Sequence, residues 1–221
     1  MQRIWRENGL SIALFGLFAL SLLGQSLAGE AEYNDDRQQH GRSTLGYVEY
    51  LTTGHFIEAV FENWESEFLQ MATYVLLTVV LRQKGSAESK ALDEAEPVDA
   101  DPARARGDRD VPWPVRQGGL VLQVYRSSLG IALFLLFVLS FGLHAAGGAS
   151  AYSAEEVAHG GTAVSIIEYL GTSRFWFESF QNWQSEFFSI GAVVVLSIFL
   201  RQHGSPESKP VASPHRQTGQ A

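Results

Sequence analysis

Asn63 and Glu67 stand four residues apart, and Asn182 and Glu186 repeat that spacing in a second N-W-[EQ]-S-E-F block, so on a helix each pair shares one face. A carboxylate at the edge of a bilayer is costly unless it is solvated or paired, and Glu67 beside Glu186 would therefore bind a cation or share a proton. The plainer role for both blocks is anchorage, with Trp64 and Trp183 at the membrane–water interface and their polar neighbours among the headgroups. His40 and His159 occupy matching places in two acidic stretches, which would suit a pH response or a metal ion. Neither has another histidine at ligand spacing, so a solvated loop side chain is the simpler expectation, and no metal is assigned. His144 and its counterpart Gln25 lie near the ends of apolar runs, where a polar group faces other helices or a water-filled cavity; an interhelical hydrogen bond is the expected use.

Catalytic signatures are missing from the sequence. It has no Walker loop, no G-x-S-x-G, no H-E-x-x-H and no Rossmann glycine pattern, and its zero cysteines exclude thiolate metal sites, disulfides and thiol nucleophiles. No catalytic residue and no cofactor is expected, and the chain reads as a non-enzyme. With 24 acidic against 16 basic residues and no basic stripe, nucleic acid is excluded as a partner.

The elements that must position these side chains are apolar and uneven along the chain. Residues 10–28 and 129–149 carry no Asp, Glu, Lys or Arg, and each is about 30 Å long as a helix, which is one hydrocarbon thickness. Phe68–Leu81 and Phe187–Leu200 are shorter and must borrow upstream polar residues, giving spans at 63–81 and 182–200. The predicted fold is all-α and integral to a membrane, with four transmembrane helices.

A displacement of 119 residues superposes the sequence on itself. Ten of the twenty positions in 10–29 recur in 129–148, and 21 of the 45 in 46–90 recur without a gap in 165–209. The chain divides accordingly into a first repeat at 1–92, an acidic, proline-containing linker at 93–116 that is expected to be disordered, a second repeat at 117–210, and a flexible tail at 211–221. Each repeat crosses twice, so the two are parallel rather than inverted. With both termini and the linker on one side, every Lys and Arg except Arg37, Arg42 and Arg174 lies on that side, which is therefore cytoplasmic; the acidic loops face outward.

A rival reading makes residues 1–28 a cleaved signal peptide, with an exported enzyme released after Ala28. The recurrence of the same pattern at 126–148 in mid-chain argues for a retained anchor. The R-E-N-G-L start at Arg6–Leu10, the N-W-Q-S-E-F block at Asn182–Phe187 and the R-Q-x-G-S-P-E-S-K-P end at Arg201–Pro210 resemble a family of uncharacterised bacterial membrane proteins grouped as a domain of unknown function; the first repeat departs at Glu65 and Ala87. The resemblance covers nearly the whole chain outside the linker. It implies bacterial origin and a membrane location, which the charge asymmetry makes the inner membrane, and supplies no activity. The expected function is thus a structural or interaction component of the membrane, whose partners are the lipid bilayer and either a second copy or another membrane protein. The alternative is a small transporter or cation/proton-conducting assembly that uses Glu67 and Glu186.

Overall fold

The computed structural model describes residues 2–93 and 95–219. Met1, the linker's Glu94 and the tail's Gln220 and Ala221 lie outside the described residues. The fold is all-α, with no strand among the described residues. Four long helices, α1 (Gln2–Gln39), α3 (Gly54–Val80), α6 (Ser128–Ala158) and α8 (Ser173–Phe199), are joined through short ones, α2 (Tyr47–Tyr50), α4 (Trp113–Gln117), α5 (Gly119–Tyr125) and α7 (Ile166–Leu170). The linker stretch contains 3-10 turns at Pro97–Asp99 and Pro102–Ala105, and α4 begins within it.

Of the four spans expected from sequence, two, α1 and α6, are long and apolar enough by length and composition to cross a membrane. Neither α3 nor α8 qualifies, because Glu58, Glu62, Glu65 and Glu67, and Arg174, Glu178 and Glu186, occupy the N-terminal halves of these helices. Their apolar remainders are shorter than the hydrocarbon layer.

Helix ends follow local chemistry. α1 runs on well past Ala28, for no strong breaker intervenes until Gly41, whose φ of +68° only glycine adopts freely. There the Arg42 amide donates to Arg37 O at 2.8 Å, closing a Schellman turn, and the Gly161 amide does the same to Glu156 O at 2.8 Å beyond Gly160 (φ +83°). At the other ends, Arg82 Nη1 donates to the carbonyls of Thr78, Val79 and Leu81, and Arg201 Nη1 to those of Ser197, Ile198 and Leu200. Each arginine thus satisfies acceptors that a helix terminus leaves open.

The described chain forms two compact units, one of Met1–Val60 with Leu143–Thr172 and one of Phe61–Gly142 with Ser173–Ala221. In the first unit α3 and α6 meet backbone to backbone at glycines: a Cβ on Gly147 would lie 2.6 Å from Glu58 N, and one on Gly54 would lie 2.6 Å from Gly147 O. The rings of Tyr50 and Tyr169 pack over Gly29 and Gly148, where a Cβ would stand 2.2 and 2.4 Å from the phenol oxygens. The connecting loops are pinned alike, since Asn34 exchanges hydrogen bonds with Leu45 N and O, and Ser153, 119 residues on, does so with Val164 N and O.

Ser165 caps α7 through a reciprocal box: its amide and hydroxyl both donate to Glu168 Oε2, at 2.7 and 2.8 Å. These bonds hold the Glu168 carboxyl below the ordinary 4.5. A depressed folded pKa contributes stability that is present above 4.5 and lost as the pH falls through the folded value. NMR titration is expected to place Glu168 below 4.5 and to show it moving back up in Ser165→Ala; a midpoint at or above 4.5 in the wild type would contradict the box.

In the second unit, the segment after α3 forms a tight turn at Gly85 (φ +86°), in which the Gln83 amide donates to Ser89 Oγ at 2.9 Å and the Glu88 amide to Ser86 Oγ at 3.1 Å. The C-terminal residues close over it. Thr218 Oγ1 accepts from the Gly85 amide at 2.9 Å, and the Gly219 amide donates to Ser86 O at 2.9 Å. Lys209 is only 1% exposed, and its ammonium donates to the carbonyls of Gly85, Gln217, His215 and Pro214 at 2.6, 2.9, 3.1 and 3.4 Å.

Candidate functional site

The residues expected to carry chemistry fall in both units. His40 and His159 are exposed at the ends of α1 and just beyond α6, and each places Nδ1 2.9 Å from the carbonyl four residues earlier, that of Asp36 or Glu155. They remain local to their own helix ends.

In the second unit, Glu67 is exposed on α3 and Glu186 half-buried on α8, and they lie close enough for the charge of Glu186 to act on Glu67. The direct hydrogen bonds between the two helices run through their neighbours. Asn182 Nδ2 donates to Glu62 Oε1 at 3.3 Å, and Trp183 Nε1 donates to Glu65 Oε1 at 3.0 Å. Glu65 is fully buried, so the indole N–H supplies a partner to a carboxylate that would otherwise be costly to enclose. Trp64 packs edge-to-face with Phe61 at 5.1 Å and Phe68 at 6.4 Å on its own helix, and Asn63 is exposed beside it.

A second enclosed polar group lies in the first unit. Glu58 on α3, His144 on α6 and Tyr169 on α7 are 7%, 0% and 0% exposed. Tyr169 O–H donates to Glu58 Oε1 at 3.0 Å, and ligating atoms of Glu58 and His144 come within 4.8 Å of each other. Gln25, the counterpart of His144, donates Nε2 to Ala59 O at 3.1 Å, one residue further along α3. His144 was foreseen from its place in an apolar run. Glu58 was missed because its counterpart 119 residues later is Phe177, so it left no repeated signal. Tyr169 belongs to a repeated E-Y-L block, yet nothing local marks it as a partner for a side chain 111 positions away.

Chemically this group can hold helices in register and can hold a proton. The close approach of Gly147 to the α3 backbone and of Gly148 to the Tyr169 ring keeps the three side chains at short range.

A family model described as a domain of unknown function, DUF6766, matches residues 1–220. Neither the curated proteins nor the solved structures contain a match. The chain belongs to the DUF6766 family.

Proposed function

We propose that this DUF6766 chain is a four-span protein of the bacterial inner membrane, with cytoplasmic termini and outward acidic loops, acting as a non-enzymatic structural or interaction component of that membrane. The observation that carries the reading is the surface of α1, where Leu10, Leu14, Phe15, Leu17, Phe18 and Leu20 are all exposed, Phe15 by 72%. So continuous an apolar surface suits lipid and not water.

Further features support counting α3 and α8 as spans. Each has 27 residues, about 40 Å at 1.5 Å per residue, and both expose apolar side chains along their C-terminal halves, such as Leu76 and Val80 or Phe188 and Leu196. Glu62 and Glu65 accept hydrogen bonds from α8, which lowers the cost of carrying them. Equivalent hydrogen bonds 119 residues apart favour two tandem parallel repeats, and the Glu58–Tyr169 bond serves as interhelical cement.

The test uses the cysteine-free chain. Single cysteines at Ser43, Ala103, Thr162 and Ala212 are probed in intact cells with a membrane-impermeant thiol reagent. Positions 43 and 162 are expected to label directly, and 103 and 212 only after permeabilisation. Labelling of all four in intact cells would overturn the topology.

A second reading is a cation- or proton-conducting assembly that uses Glu67 and Glu186. It requires flux in liposomes that the Glu67→Gln, Glu186→Gln double variant abolishes. Absent or unchanged flux rejects it.

A further inference from the structure

The turn that receives Thr218 and Gly219 has a twin that receives nothing among the described residues. In Leu200–Lys209 the Gln202 amide donates to Ser208 Oγ at 2.9 Å, the Glu207 amide donates to Ser205 Oγ at 3.1 Å, and Gly204 has φ +82°. These values match those of the Gly85 turn, so the two backbones present the same N–H and C=O groups.

The surroundings differ. Gly85 and Ser86 are buried, and a Cβ on Gly85 would meet His215 O at 2.7 Å and Ile198 Cγ2 at 3.0 Å. Gly204 is exposed, a Cβ there would meet nothing within 4 Å, and the turn borders a cavity of about 540 Å3 reaching from Gln202 to Ala212. The chain's own equivalent segment does not fill it: Lys90, the counterpart of Lys209, is paired with Asp99.

We propose that the Gly204 turn is a docking site for an extended peptide tail of a partner protein, held as the Gly85 turn holds this chain's own tail. The chemistry of the occupant is set by the filled turn. A Ser or Thr hydroxyl accepts from the Gly204 amide, the next residue's amide donates to Ser205 O, and an ammonium nine residues upstream of the hydroxyl reaches the Gly204 carbonyl, as Lys209, Thr218 and Gly219 do for Gly85 and Ser86. One backbone hydrogen bond, the hydroxyl and the ammonium together supply the affinity, and the hydroxyl and ammonium the selection, as they do in the filled turn. The inference goes beyond the reading above and is independent of the number of spans.

The test adds a synthetic peptide with the sequence of residues 209–219, bearing a photoreactive group in place of Gln217, to the full-length protein in detergent. The first turn is already filled in cis, so saturable binding at one peptide per chain is expected, with cross-links mapping to residues 202–212. A peptide carrying Thr218→Val is expected to bind about tenfold more weakly, the effect of losing one hydrogen bond. Because that change is in the peptide, it leaves the protein's folding untouched. Absence of saturable binding, cross-links confined to 83–89, or equal binding of the valine peptide would each overturn the proposal. Dimers of the full-length protein whose cross-links join residue 218 to the Gly204 turn would assign the site to a second copy and overturn the separate partner.

Discussion

Gly147→Val is expected to destabilise the first unit by about 3 kcal/mol, the upper part of the usual range for overpacking. The atoms a side chain would strike are Glu58 N at 2.6 Å, Ile57 Cγ2 at 2.9 Å and Gly54 O at 3.0 Å. Two of these are backbone, so the clash cannot be relieved by a rotamer change and the helices must separate. Separation then stretches the Tyr169–Glu58 hydrogen bond, leaving a phenol and a carboxylate enclosed without each other. Gly16→Val is the control, because a Cβ at Gly16 meets nothing within 4 Å, and a surface change of that kind stays within about 0.5 kcal/mol. Reversible unfolding in mixed detergent micelles compares the two variants. Equal midpoints would show that α3 and α6 do not meet at this glycine.

The second large effect is at Lys209. Lys209→Met keeps most of the side-chain bulk and removes the ammonium from four carbonyls, of which Gly85 O at 2.6 Å is the nearest. Hydrogen bonds to a charged donor contribute about 1.5–3 kcal/mol, and stranded acceptors add to the loss. The expected cost is about 2–3 kcal/mol of local stability, equivalent to roughly 30- to 150-fold faster hydrogen exchange at the Gly85 and Gly219 amides, with the Tyr169 region unchanged. Exchange at the wild-type rate would mean that Thr218 and Gly219 hold the turn without the lysine.

Much of the local architecture was legible in the sequence. Apolar windows gave the positions of α1 and α6, whereas the glycine of each R-Q-x-G-S-x-E-S-K tail stands about five residues beyond the end of α3 or α8 and shapes a turn there without ending the helix. The extent of α1 was not legible, since loss of hydropathy ends a span without ending a helix, and Asp35 or Asp36 does not break one. The displacement of 119 directed attention to residues present in both halves, such as Glu67 and Glu186. The most buried carboxylate–phenol contact instead pairs Glu58, which has no polar counterpart, with Tyr169. A site built on a difference between repeats is invisible to a search for their agreement. Lys209 was hidden for another reason: a mixed-charge tail reads as solvated, and the carbonyls that enclose its ammonium come from turns that no periodicity marks.

The clamp around Gly85 also imposes an order on biosynthesis. The Gly85 amide donates to Thr218 Oγ1, 133 residues later in the chain. At a translation rate of about 5–20 residues per second, roughly 7–27 s separate the two on the ribosome. Throughout that interval the Gly85 amide and the Ser86 carbonyl lack the partners that Thr218 and Gly219 supply in the finished protein. A nascent chain is therefore a transient bearer of the vacant first turn, and whatever binds that turn has its only uncontested access before residue 218 emerges.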